Sequence, residues 1–124
     1  MILVDTSVWI DHLRSGNAAL SNVLEQARVL AHPFVIGELA CGNLKNRHDI
    51  LGLLSELPSA PLATDREVLT FIERHHLMGR GIGYTDVHLL ASSALADGTT
   101  LWSKDKRLVR AAKDLNLAAS DPNK

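Results

Sequence analysis

The chain has 124 residues, of which 46% are hydrophobic and 22% are charged, and its formal net charge is −1. This length suits one domain over residues 1–124 and excludes two ordinary ones. The near-neutral charge excludes a uniformly basic nucleic-acid coat, and the lone Cys41 excludes an intrachain disulfide and a multi-cysteine zinc site. Apolar runs are shorter than the roughly 18–20 residues of a membrane span, and one cysteine fits a reducing, cytoplasmic setting.

Short apolar runs alternate with stretches of helical periodicity along the chain. Ile2-Leu3-Val4 is typical of a buried parallel strand. In chain order, we predict strands at 2–4, 29–31, 62–63, 101–102 and 117–118. Helices are predicted to begin after a Thr6 or Ser7 cap, near Asn17, at Pro33, at Asp49, at Asp65, after a Thr85 cap and after a Ser103 cap. This alternation predicts an α/β fold of three α/β/α layers, with a parallel sheet of four to five strands. Residues 119–124 are expected to form a frayed tail.

Four acidic residues fall near predicted strand ends and helix starts. Asp5 ends the first strand, and Asp86 and Asp105 lie in first helical turns, where a negative side chain is expected to stay ionised. Glu38 lies in the middle of a helix, on a half-apolar stripe. Sites of open parallel sheets form beyond the carboxyl ends of the strands. A cluster of carboxylates there needs a cation, and hard oxygen ligands favour Mg²⁺ or Mn²⁺.

Each acidic residue also has a simpler interpretation. Asp86 and Asp105, taken singly, are more often residues of a helix start than ligands. Glu38 can instead pair with Lys45 or Arg47. The case for a site therefore depends on all four carboxylates meeting.

Four motifs in order resemble PIN-domain toxins of the VapC type. They are Ile2-Leu3-Val4-Asp5-Thr6-Ser7-Val8-Trp9-Ile10, Val35-Ile36-Gly37-Glu38-Leu39 with Gly42, Gly83-Tyr84-Thr85-Asp86-Val87-His88-Leu89-Leu90-Ala91, and Leu101-Trp102-Ser103-Lys104-Asp105-Lys106-Arg107-Leu108. Each motif is weak alone, but together they extend the likeness over essentially the whole chain. Ser103 departs from the pattern, since many relatives carry Thr there; the hydroxyl is retained.

The resemblance implies a PIN-like fold and a metal-dependent endoribonuclease that is the toxin of a toxin–antitoxin pair. Asp5 and Asp86 match the family's principal metal ligands, and Glu38 and Asp105 match its remaining acidic positions. A small antitoxin lying across or near the active-site groove, RNA as substrate and a homodimer are implied in the same way. From the chemistry of hydrolysis, we expect Thr6 and Ser103 to orient waters at the site.

Basic residues cluster beside Asp105. They are Lys104, Lys106, Arg107, Arg110 and Lys113, and Arg80 in the glycine-rich segment 79–83 can reach the same groove. We predict RNA-backbone contacts for Arg80, Lys104, Lys106, Arg107 and Arg110, although such a run is often only a solvated helix face.

Other interpretations remain open from the residues alone. A catalytically inactive PIN-like module that binds RNA or protein is the main alternative. Receiver domains and haloacid-type phosphatases fit less well, because Asp5-Thr6-Ser7 lacks their second early acid. The six histidines form no recognisable metal site, and Trp9 and Trp102 are expected in a core or an interface. Val8-Trp9-Ile10 with Leu13 and Val35-Ile36 can form either a dimer interface or part of the core.

Overall fold

Three short parallel strands lie at the centre of the fold in the computed structural model, which describes residues 1–120. In chain order the elements are β1 (Ile2–Val4), α1 (Thr6–Ser15), α2 (Ala18–Glu25), β2 (Val29–Leu30), α3 (Pro33–Ala40), α4 (Arg47–Glu56), α5 (Asp65–His75), α6 (Tyr84–Leu95), β3 (Thr100–Trp102) and α7 (Lys106–Asp114). The part of the predicted tail at 121–124 lies outside the described residues.

The strand order is β2-β1-β3, and both neighbours of β1 run parallel to it. Leu3 pairs with Leu30 on one side and with Leu101 on the other. Because parallel strands end at the same edge, the residues that follow β1 and β3 emerge side by side. The predicted α/β architecture is therefore confirmed, and its sheet edge positions the candidate site.

The predicted number of strands is wrong. Residues 62–63 form no strand, since Leu62 is exposed and the pairing occurs earlier, as an isolated bridge between Ala31 and Ser59. Residues 117–118 contribute another isolated bridge, between Leu101 and Ala118. Pro58 and Pro61 lack the N–H groups that would extend the first pairing. At the other edge, the Ala119 N–H donates to the Leu101 carbonyl at 2.9 Å, so the predicted fraying does not begin at residue 119.

Three predicted helix caps are displaced. Asp5, not Thr6 or Ser7, is the N-cap residue of α1. Gly83, not Thr85, is the N-cap of α6, which places Asp86 at the third helical position. Asp105, not Ser103, is the N-cap of α7, and its side chain accepts the N–H groups of Arg107 and Leu108. Asp is a strong N-cap residue, so α7 begins later than the Ser103 prediction.

The core covers both faces of the sheet. Its largest fully buried side chains include Leu3, Leu20, Leu89, Leu90 and Leu108, and burying each leucine stabilises the fold by roughly 1.5–3 kcal/mol. Trp9 and Trp102 are buried as well, which confirms their core assignment. Within residues 1–120, no helix combines the length and apolar character needed to cross a lipid bilayer.

Part of the apolar surface considered for an interface is also in the core. Val8, Trp9 and Val35 are buried within the chain, so they are not available to a second copy. Ile10 is 42% exposed, and Leu13 and Ile36 are partly buried. Burial in the core therefore accounts for most of that apolar pattern.

Candidate active site

Asp5 stands at the carboxyl end of β1, where the chain turns into α1. It is only 6% exposed, and although it is the N-cap residue of α1, its side chain makes no capping hydrogen bond. Its Oδ2 instead accepts hydrogen bonds from Ser7 Oγ and Ser103 Oγ, each at 2.7 Å. Two hydroxyl donors therefore fix a nearly buried carboxylate at the sheet edge, and such donors compensate the burial of charge.

Ser103 links this carboxylate to the next strand. It follows β3, and its Oγ accepts the N–H of Asp105 at 3.0 Å while donating to Asp5. Asp105 Oδ1 in turn accepts the N–H groups of Arg107 and Leu108 at 2.9 and 3.2 Å. One oxygen of Asp105 is thus committed to the start of α7, and the hydroxyl of Ser103 connects Asp105 with Asp5.

Glu38 approaches the same edge from α3. Its Oε1 accepts a hydrogen bond from Thr6 Oγ1 at 3.1 Å, so the first turn of α1 orients it. The alternative partners do not engage it: no ion pair of Glu38 with Lys45 or Arg47 occurs among residues 1–120, and Arg47 donates to the carbonyls of Ala40 and Gly42. The partner of Glu38 is therefore a neutral hydroxyl group.

Asp86 faces the three other carboxylates from the first turn of α6. Partial burial is the largest cause that raises its pKa above the ordinary 3.8, and the charges of Asp5, Asp105 and Glu38 raise that pKa further. The N–H of Gly83, which donates to Asp86 Oδ2 at 3.1 Å, opposes the rise. The helix-start argument expected this carboxylate to be favoured as an anion; burial and like charges outweigh that effect.

The four carboxylates form a negatively charged cluster without closing into a ready ligand shell. Within residues 1–120, no three histidine, cysteine or carboxylate side chains are grouped closely enough to hold a metal ion as placed. Mg²⁺ commonly uses only one or two protein carboxylates and fills its remaining positions with water. The hard oxygen donors, and the repulsion that raises the pKa of Asp86, therefore fit a hydrated divalent cation.

Two of the predicted RNA-contacting residues are held in ion pairs. Arg80 donates to Asp114 at 2.7 Å, and Lys104 lies 3.2 Å from Asp11. Asp114 is the last residue of α7, about 13 Å of helix rise from its cap. Arg80 is consequently near the far end of α7 and does not reach the carboxylates from the glycine-rich segment.

Arg107 lies against that segment near the start of α7. A Cβ atom built on Gly81 would stand 2.7 Å from Arg107 Nη1. Lys106, Arg107 and Arg110 are exposed, and no carboxylate of residues 1–120 pairs with them. The basic surface that adjoins the acidic cluster is therefore the face of α7.

Sequence reasoning missed two features of the site. Ser7, considered only as a helix cap, donates to Asp5 and accepts the N–H of Lys104; its position two residues after Asp5 was the available signal. His32 and His88 are buried, and burial, reinforced by His88, lowers the pKa of His32 to about 4. No sequence pattern distinguished these two histidines from the exposed ones.

The comparisons with known proteins give a family, relatives and a solved structure of similar fold. The PIN domain family matches residues 2–114. The chain is 46% identical over 121 residues, covering 98% of both proteins, to Ribonuclease VapC32 of Mycobacterium tuberculosis, from the strains CDC 1551/Oshkosh and H37Rv. A solved structure described as FitAcB from Neisseria gonorrhoeae covers 98% of each chain with a TM-score of 0.63 and 19% identity, a likeness of fold alone.

Proposed function

Because the chain belongs to the PIN-domain family, we propose that it is a metal-dependent endoribonuclease and the toxin of a toxin–antitoxin pair. Its substrate is RNA, and the bond it hydrolyses is the phosphodiester. The observation that carries the proposal is the convergence of carboxylates on Asp86, whose pKa is raised first by burial and then by the charges of Asp5, Asp105 and Glu38. The hydrogen bonds of these four carboxylates do not remove their mutual repulsion, whereas a cation turns the same arrangement into a binding site.

Asp5 and Asp86 are the residues that would hold the metal, and Mg²⁺ or Mn²⁺ suits their oxygen donors. When bound, such an ion lowers the pKa of a water molecule and offsets charge on the phosphate. Ser7 and Ser103 hold Asp5 through its Oδ2, which presents the carboxylate in one orientation. Glu38 and Asp105 are the other two carboxylates of the acidic cluster, and either can accept a proton from water.

Thr6 and Ser103 act as supporting residues in this proposal. The Thr6 hydroxyl positions Glu38, and the Ser103 hydroxyl bridges Asp5 and the backbone of Asp105. Both hydroxyls therefore determine the spacing of the carboxylates. Replacing Thr6 or Ser103 with alanine removes the hydroxyl and therefore this effect on the spacing.

The RNA backbone is proposed to run along the start of α7. Lys106, Arg107 and Arg110 are exposed there, next to the N-cap residue Asp105. Lys104 contributes if it exchanges its partner Asp11 for a phosphate. Arg80 is no longer part of this surface, because Asp114 holds it near the other end of the helix.

A groove of about 560 Å³ next to Glu38 supports an antitoxin partner. Ile10, Leu13 and Leu39 give it an apolar wall, and Arg14 also lines it. A peptide segment of the antitoxin that carries apolar residues fits this groove and reaches the acidic cluster. We also propose a homodimer, from the family resemblance, and a cytoplasmic location, which the single cysteine favours.

The proposal is tested by removing one carboxylate. Asp5→Asn should lower cleavage of total cellular RNA in Mg²⁺ or Mn²⁺ at least about 100-fold, since it removes a metal ligand. Mapping the new 5′ ends also identifies the cleaved RNA.

The matched control is Asp97→Asn, which makes the same chemical change at an exposed position before β3, at the opposite edge of the sheet. It should retain full activity, and circular dichroism should show both variants folded. Full metal-dependent cleavage by folded Asp5→Asn protein would contradict the assignment.

A further inference from the structure

An exposed aromatic patch adjoins the acidic cluster. It consists of Phe34 and Tyr84, which are 40% and 45% exposed, seated on the buried ring of His88. Large aromatic side chains are mostly withdrawn from water in folded domains.

Buried histidine rings pack against the two exposed rings. The ring centroid of Phe34 lies 4.6 Å from that of His88 and 5.1 Å from that of His32. Tyr84 meets His88 edge-on at 4.7 Å, and its hydroxyl donates to Asp65 Oδ1 at 2.9 Å. Packing and a hydrogen bond thus fix both rings while leaving part of each ring open to solvent, as a stacking surface requires.

The patch lies within one helical turn of two carboxylates. On α3, Phe34 precedes Glu38 by four residues, so both share one helix face about 6 Å apart along the axis. On α6, Tyr84 is the first residue and Asp86 is the third. A nucleotide next to one bound at the acidic cluster therefore meets the aromatic patch.

Charge around the patch favours a base over a phosphate. Asp65 accepts the Tyr84 hydroxyl, and Glu38 and Asp86 lie about one turn or less from the rings along the same two helices, so a phosphate placed there without a cation is repelled. A nucleobase is uncharged and offers a π face to an aromatic ring. Unpaired RNA is commonly bound through such stacking on Phe, Tyr and His.

We propose that Phe34 and Tyr84 form a stacking platform for an unpaired base of the RNA, adjacent to the phosphate held at the acidic cluster. This inference rests on the proposed function, since it names two residues that would bind RNA next to the same site. The platform selects unpaired RNA because the bases of a duplex are stacked on one another and do not present a free face.

The test compares a single-stranded RNA oligonucleotide with an abasic oligonucleotide of equal length and charge. Binding is measured by fluorescence anisotropy in Ca²⁺, a divalent cation that takes oxygen ligands, and gel electrophoresis of the recovered RNA establishes that it stays intact. The wild-type protein should bind the base-bearing RNA roughly 5- to 150-fold more tightly than the abasic one. Phe34→Leu and Tyr84→Leu, which keep apolar volume but remove the ring, should bring this ratio towards one.

Control variants separate stacking from packing. Phe34→Tyr and Tyr84→Phe retain the rings and should retain the ratio. Leu95→Ala removes a comparably exposed hydrophobic side chain at the other end of α6 and should leave the ratio unchanged. Thermal unfolding establishes that each variant is folded.

The outcomes separate the platform from the nuclease. A wild-type affinity ratio of one, or leucine variants that keep the wild-type ratio, overturns the platform. If the leucine variants keep the ratio but no longer form a dimer, the patch is assigned to contact with a second copy of the chain. If the wild-type protein cleaves RNA but has an affinity ratio of one, the nuclease proposal holds and the stacking platform is rejected. A high ratio in a protein that cuts no RNA leaves the platform and removes the nuclease.

Discussion

The proposed metal ligand Asp86 destabilises the metal-free fold when its side chain is ionised. Burial and three neighbouring carboxylates raise its pKa, so the folded chain binds a proton at this site more tightly than the unfolded chain. The contribution to stability is therefore fully present below the ordinary pKa of 3.8 and is lost as the pH rises through the raised value. At a pH above the raised value, the ionised side chain makes the metal-free fold less stable.

The variant Asp86→Asn should consequently stabilise the metal-free protein. Its amide oxygen can still accept the Gly83 N–H, while the charge repelled by Asp5 is gone. We expect the free energy of unfolding at pH 7 to rise by about 0.5–2 kcal/mol, and the gain to shrink as the pH approaches 4. Urea denaturation in EDTA measures both values.

A control variant and the addition of Mg²⁺ test whether charge repulsion at Asp86 is the cause. Asp97→Asn, at the opposite edge of the sheet, should give no comparable gain. Added Mg²⁺ should stabilise the wild type through binding and stabilise Asp86→Asn less. A gain of equal size at pH 4 and pH 7, or a loss at pH 7, would show that charge repulsion at Asp86 is not the cause.

At the scale of elements, the segment 79–83 determines where the side chain of Arg107 lies. Gly81 has φ +78°, and a Cβ there would stand 2.7 Å from Arg107 Nη1 and 2.8 Å from its Cδ. Gly79 has a similar φ of +72°, but a Cβ there meets nothing within 4 Å. The two glycines thus share one backbone requirement and differ in a single contact.

This pair gives a matched prediction. Gly79→Ala and Gly81→Ala should each lose about 1–2 kcal/mol of stability from left-handed backbone strain. Only Gly81→Ala should also weaken RNA binding, by about 1 kcal/mol or roughly fivefold, because it displaces the Arg107 guanidinium. Equal RNA affinities in the two folded variants would remove Arg107 from the proposed RNA surface.

Elements with strong local signals were predictable, and those that depend on tertiary hydrogen bonds were not. Pro33 at a first helical turn and Asn17 before α2 follow from local chemistry, and the structure places both as expected. The cap of α7 was misplaced because Ser103 donates to Asp5, a residue 98 positions away in sequence. No local pattern contains that contact.

The strands illustrate the same limit. A run such as Ile2–Val4 predicts a buried strand from composition alone. Whether residues 62–63 pair depends on which backbone groups face the sheet, and Ala31 bonds to Pro58 and Ala60 instead. The proximity of Asp5 to the segment 103–105 was predictable, because both follow the ends of neighbouring parallel strands. The positions of Glu38 and Asp86 depend instead on how α3 and α6 pack.

At the scale of the whole molecule, the net charge of −1 conceals a separation of charge. The four carboxylates lie at the carboxyl edge of the sheet, and exposed basic side chains follow along α7. Two further basic residues are held by Asp11 and Asp114. A negative site beside a basic face binds a polyanion only where cation and helix act together, so RNA affinity should depend on both metal and salt.

The salt dependence tests this arrangement through Arg110 and Arg28. Each phosphate contact on single-stranded RNA contributes about 0.7 to the slope of log affinity against log salt concentration. Arg110→Ala should therefore reduce the slope by about that amount. Arg28→Ala removes the same charge just before β2, at the amino edge of the sheet, and should leave the slope unchanged. If both variants lower the slope equally, the positive charges act as a diffuse field, and α7 does not position the RNA backbone.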